Sequence, residues 1–199
     1  MSNYSRRTVV RGAAWSVPVI AIAAPIPAFA TSHEPPPPVI DFGRACGNTG
    51  SVGKGCGGKF TLEVPLTLSN PGSTAIIFQI TGMFTSNVGP APTGPGPGVY
   101  SGVRGIFDTP GHAPANQNQC TQVAAPAPGC SGGVTGGSVL VPAGTIGETY
   151  WIESAPTGSA DDFASTIYWS LLDAATCDVL SSGNAQTAGA IQPQNCVGS

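Results

Sequence analysis

The stretch Phe60-Thr61-Leu62-Glu63-Val64-Pro65-Leu66-Thr67-Leu68 alternates apolar and polar positions over nine residues. Successive side chains of a strand point to opposite faces, so a period of two marks a β-strand with one face in a core and the other turned outward. Pro65 falls on the outward phase, and because proline lacks an N–H it points to an edge position or a bulge. Asn70-Pro71-Gly72 follows as turn chemistry, and Ala75-Ile76-Ile77-Phe78-Gln79-Ile80 is apolar on both phases, as in a central strand. Together the two runs are read as a hairpin.

Further strand-like runs lie toward the C-terminus: Ser138-Val139-Leu140-Val141-Pro142, Thr149-Tyr150-Trp151-Ile152-Glu153, Thr166-Ile167-Tyr168-Trp169-Ser170-Leu171-Leu172 and Asp178-Val179-Leu180, with turn residues between them. Ala160 to Ala164 has room for one helical turn. Residues 85–137 differ, with 12 Gly and 8 Pro in 53 positions, interrupted by a strand at Val99 to Phe107. Short strands without a 3.6-residue period predict an all-β antiparallel sandwich with long Gly/Pro-rich loops. Composition agrees: 28 Gly and 20 Pro in 199 residues argue against a helical bundle, while 41% hydrophobic residues suffice for a core.

The N-terminus reads as an export signal. Ser5-Arg6-Arg7-Thr8-Val9-Val10-Arg11 is charged, Gly12 to Ala24 is apolar but too short for a membrane span, and Ala28-Phe29-Ala30 offers the small-x-small pattern of signal cleavage. Residues 1–30 are therefore expected to be removed after Ala30. Arg6 and Arg7 resemble a twin-arginine signal, with the general secretory route as the alternative because Val9 and Val10 replace the favoured Phe-Leu. Residues 31–38, with Pro35 to Pro38, are expected to form an extended, solvated spacer, leaving residues 39–199 as the folded domain.

Without residues 1–30 the chain keeps four cations (Arg44, Lys54, Lys59, Arg104) against ten acids, a formal charge of −6. Four scattered cations cannot neutralise a run of phosphates, so nucleic acid is an unsuitable partner, and no second apolar run predicts a membrane span. All six cysteines, Cys46, Cys56, Cys120, Cys130, Cys177 and Cys196, lie in this exported part and read as disulfides. Six cysteines allow 15 pairings. Local spacing favours Cys46 with Cys56, Cys120 with Cys130, and Cys177 with Cys196.

Several motifs suggest chemistry and lose it in context. Gly53-Lys54-Gly55-Cys56-Gly57-Gly58-Lys59 matches a phosphate-loop start, but Phe60 stands where Ser or Thr should hold magnesium and a strand follows where a helix should begin. His33 and His112 are the two histidines, and no Gly-x-Ser-x-Gly elbow accompanies them. Glu148, Glu153, Asp161 and Asp162 could supply a carboxylate pair for glycoside hydrolysis, but are read as solubilising surface acids. Asp161 and Asp162 are of the hard-oxygen type that calcium takes, yet the ligand spacing is incomplete and a turn or cap is the plainer reading. No cofactor is implied.

In Tyr150-Trp151 and Tyr168-Trp169 only one ring of each pair can face the core. Trp169 shares its phase with Ile167 and Leu171 and is expected inside. Two outward tryptophans would make a stacking platform for sugars. The exposed member of Tyr150 and Trp151, with the 85–137 loops, is the expected binding surface.

The succession Phe60 to Leu68, Asn70-Pro71-Gly72, Ile76 to Ile80 and Val139-Leu140-Val141-Pro142-Ala143-Gly144 resembles a bacterial immunoglobulin-like domain over residues 39–190. The signal and the low-lysine, Ala- and Pro-rich continuation are similar to those of secreted proteins of high-GC Gram-positive bacteria. The resemblance implies a secreted, non-catalytic interaction module, extracellular or associated with the cell wall, with a cell-wall polysaccharide or a surface protein as partner. The alternative is a secreted carbohydrate-binding module or hydrolase.

Overall fold

A computed structural model describes residues 34–48, 60–110, 130–158, 162–192 and 194–196. The export-signal residues Arg6, Arg7, Ala28 and Ala30, with His33, His112, Cys56, Cys120, Asp161 and the 53–59 glycine loop, lie outside the described residues. Eleven strands are described: β1 (Val39–Ile40), β2 (Cys46–Asn48), β3 (Thr61–Asn70), β4 (Ile76–Ser86), β5 (Val99–Ser101), β6 (Val103–Phe107), β7 (Ser138–Val141), β8 (Thr145–Ser154), β9 (Ala164–Asp173), β10 (Val179–Gln186) and β11 (Gln194–Asn195). The first sheet runs β11-β2-β3-β8-β6, with β1 also on β3; the second runs β10-β9-β4-β5, with β7 also on β4. Every pairing is antiparallel except β11 with β2.

The alternation that marks β3 decides its packing. Leu62, Val64, Leu66 and Leu68 enter the core, where they join Ile76, Phe78, Ile80 and Met83 of β4, Tyr150 and Ile152 of β8, and Ile167, Trp169 and Leu171 of β9. In β4 the inward phase slips by one at an irregularity between Ile80 and Gly82, leaving Thr81 exposed so that Met83 can face inward.

The expected β3–β4 hairpin does not form. β3 pairs with β8 and β4 with β9, so the 70–75 turn crosses between sheets. Both strands carry a core face too apolar to share one sheet with a solvated face, and stacking them face to face buries both. The buried Asn70 fixes the crossing: its Nδ2 donates to the carbonyls of Thr74, Val141 and Pro142, and its Oδ1 accepts from the Gly72 N–H. The Val99 to Phe107 run is likewise divided. Gly102, at φ +103, breaks it so that β5 pairs with β4 in the second sheet and β6 with β8 in the first.

Pro65 is not at the edge of its sheet, since β3 has neighbours on both sides. Its carbonyl accepts from the Asp41 N–H, and its missing donor faces the interval between β1 and β2. There the chain leaves the ladder for a 3-10 turn at Phe42–Arg44, so no ladder bond is lost.

Both described disulfides differ from the local scheme. Cys46 bonds Cys196 across a separation of 150 residues, and Cys130 bonds Cys177 across 47. The Cys46–Cys56, Cys120–Cys130 and Cys177–Cys196 pairings are therefore incorrect. Parallel pairing of β11 with β2 sets Gln194 opposite Cys46 and Asn195 opposite Gly47, which brings Cys196 to Cys46. Sequence spacing measures only loop-closure entropy, and ladder pairing outweighs it. The second bridge holds Cys177, at φ +62, in a turn where the Asp173 carboxylate accepts from the N–H groups of Ala175 and Thr176.

Candidate functional site

On the face of the first sheet turned away from the core, β3 presents Thr61, Glu63 and Pro65, and β8 presents Trp151 and Glu153. Antiparallel register sets Glu63 opposite Glu153 and Pro65 opposite Trp151. On the other side of β8, β6 sets Gly105 opposite Glu153 and Phe107 opposite Trp151. Two carboxylates directly across a ladder repel, and burying them raises the cost. Both are nevertheless 0% exposed.

The neighbours offset that cost. Thr61 Oγ1 donates to Glu153 Oε1 at 2.8 Å, and Arg104 Nε lies 3.6 Å from Glu153 Oε2. An irregularity between Val103 and Gly105 sets Arg104 beside this carboxylate, with its own side chain 41% exposed. Glu63 Oε2 lies 3.9 Å from Cys46 Sγ. Cys46, Glu63 and Cys196 place donor atoms within 4.8 Å of one another, a spacing a metal could use. The two sulfurs are bonded to each other, however, and a disulfide offers no thiolate ligand.

Reading Glu153 as a surface acid was therefore incorrect, and Glu63 is buried beside it. The signal lay in their neighbours: Phe107 and Trp151, like Ile106 and Ile152, put apolar side chains on both phases of β6 and β8, which predicts a covered outer face. Phe107 is 5% exposed. Glu148, by contrast, is exposed and accepts a hydrogen bond from the Tyr150 hydroxyl; burial of the ring first, then that bond and the Glu148 charge, raise the Tyr150 pKa to about 12.

The aromatic pairs divide as strand geometry requires. Tyr150 and Trp169 are buried in the core, whereas Trp151 and Tyr168 are half-buried on outward faces. Tyr150 is thus the inward member of its pair and Trp151 the outward one. Trp151 belongs to the first sheet and Trp169 points inward from the second, so they form no shared sugar platform. Tyr168 meets Phe84 edge to face, centroids 6.1 Å apart at 71°, and its hydroxyl donates to the Thr93 carbonyl at 3.1 Å. That bond pins the Gly/Pro loop between β4 and β5, in which Val88 is 68% exposed. Asp162 is half-buried, and its partner in the calcium reading, Asp161, lies outside the described residues.

Among the described residues no helix is long and apolar enough to cross a membrane. The chain matches no family model, no curated protein and no solved structure.

Proposed function

We propose that the chain is an exported, immunoglobulin-like β-sandwich that works without catalysis, as an interaction module outside the cell or at its wall. The observation that carries this reading is the burial of Glu63 and Glu153. They are the one directly opposed carboxylate pair in the described ladders, and at 0% exposure neither reaches a glycosidic bond. The Thr61 hydrogen bond and the Arg104 ion pair of Glu153 tie β3, β6 and β8 together, a structural use of a group that catalysis would need exposed. Two disulfides linking segments distant in sequence support an oxidising compartment. Residues 1–30 then serve as the cleaved signal, and the loop pinned at Thr93, with the outward ring of Trp151, supplies recognition surface.

Two measurements test the reading. Purified protein assayed against ester, peptide and glycoside substrates should give no turnover; turnover abolished by Glu153→Gln in a folded variant would refute it. Arg6→Lys with Arg7→Lys should block export by the twin-arginine route, and unchanged secretion would assign the general route.

A further inference from the structure

We infer that β10, the outer strand of the second sheet, is a docking edge for a second copy of the chain, which joins it by antiparallel pairing of β10 with β10 about a two-fold axis at Asn184. β10 has β9 on one side and no strand on the other. Thr187 N–H donates to the Ser165 carbonyl on the β9 side. Backbone directions alternate along a strand, so Ser182, Asn184 and Gln186 turn their N–H and C=O groups away from β9. Among the described residues nothing bonds these groups on that side. Sheets blunt the edges they do not use with short strands, charges, proline or bulges. The other described edges carry such devices: β1 and β11 have two residues each, β5 has three, β7 has four and runs into Pro142, and β6 carries Arg104 at an irregularity. β10 has eight residues with neither charge nor proline. Its irregularity between Val179 and Ser181 confines regular pairing to the span from Ser181 to Gln186.

That span selects the occupant. A copy centred on Asn184 sets Asn184 opposite itself and Ser182 opposite Gln186 of the second copy, each pair exchanging two N–H to carbonyl bonds. A register centred on Gly183 would instead set Gln186 against Leu180, which the irregularity displaces. Directly opposed residues share a face, so the exposed side chains of Ser182, Asn184 and Gln186 meet each other. Each carries a donor and an acceptor, and the strand therefore complements itself. No like charges meet in the ribbon, although the chain without residues 1–30 has a formal charge of −6. Asp178 precedes the span, and Glu34 lines a groove with Ser182 where the proline tract, expected to be solvated throughout, buries Pro35. Both acids thus lie toward one end of β10, and antiparallel pairing carries those of the two copies to opposite ends. The two-fold axis closes the contact at two copies, and the blunted β5 and β7 edge on the far side of the sheet stops further growth. A ribbon this short buries less than the standard interface of about 1,600 Å², so the dimer is weak and exchanges rapidly.

This inference stands on β10 alone: a monomeric chain would leave the non-catalytic reading intact, and turnover would refute that reading without touching the edge. The test is a dilution series of the full chain from about 1 mM to about 10 µM, the weak range of association, followed by sedimentation velocity and ¹⁵N–¹H NMR. Sedimentation should show a monomer–dimer equilibrium, and the Ser182, Asn184 and Gln186 amides should shift with concentration. Asn184→Pro removes an outward donor while sparing the β9 ladder and should weaken the dimer at least about tenfold. Asn184→Lys and Asn184→Asp should each self-associate about threefold less than the parent, and their mixture should recover at least the parent's association, because opposite charges then face each other. Ile146→Ser, on the first sheet, should change nothing. The inference is overturned if the chain is monomeric across the series, if those amides do not shift, if folded Asn184→Pro associates like the parent, or if the mixture associates no better than its separate components.

Discussion

Replacing Cys46 and Cys196 together by Ala removes the bridge that ties β2 to β11, and the structure sets the size of the effect. The loop spans 150 residues, of which the intact Cys130–Cys177 bridge already constrains 47, leaving about 103 effective residues. The loop-entropy relation gives about 4.7 kcal/mol at 25 °C for such a loop. Because the dependence is logarithmic, a further bridge nested inside would alter this by less than about 1 kcal/mol. For a domain of this size the melting temperature should fall by about 10–20 °C. Urea denaturation of the parent and the double variant, with equal m-values required for the comparison, measures the loss. Cys196→Ala alone should cost nearly as much and leave Cys46 open to alkylation after unfolding. A local Cys46–Cys56 bridge would be worth only about 2.7 kcal/mol and would survive Cys196→Ala. A loss under about 2 kcal/mol in the double variant, or Cys46 still protected in Cys196→Ala, would refute the assignment.

Three further outcomes follow from the same geometry. Glu153→Ala should destabilise by about 2–3 kcal/mol in urea, since it removes the Thr61 acceptor and the Arg104 counter-charge, whereas Glu153→Gln, which keeps an acceptor, should cost less than about 1 kcal/mol; an unaffected Ala variant would show that the pair does not hold the sheet. Tyr150, raised to about 12 in the fold against about 10 in the unfolded chain, contributes stability that is full below pH 10 and lost as pH climbs through 12. Tyr150→Phe should therefore flatten the alkaline decline over that window in a pH series of melting curves, and an unchanged slope would contradict the assignment. Gly183→Ala should cost about 1–3 kcal/mol, because a Cβ there would sit 2.7 Å from Trp169 Cζ2; a melting temperature equal to that of the parent would show that the ring can move aside.

The strands were legible before the structure because their signal is local. The Phe60 to Leu68 alternation, the two-sided apolar run from Ile76, the Tyr-Trp pairs and the Asn70-Pro71-Gly72 turn each follow from residues within a few positions of one another, and the β-sandwich class follows from them. The inward placement of Trp169 was equally readable, from its phase with Ile167 and Leu171.

The partners of those strands were decided by tertiary structure. Whether β3 folds back on β4 or stacks against it depends on burying two apolar faces at once, and no local pattern states that. Pairing of Cys46 with Cys196 needs β11 beside β2, a contact between the two ends of the domain, and sequence distance counts against it. The strand period assigns Glu63 and Glu153 to an outer face, as for ordinary surface acids; that this face is closed to solvent around them, and that the two carboxylates stand opposite each other, depends on register between strands far apart in the chain. The sequence determined which residues form strands and which side of each strand is apolar, because both are set by neighbours along the backbone. Only the folded chain determined which strands meet, because the free energy that chooses among pairings comes from area buried between segments with no sequence proximity.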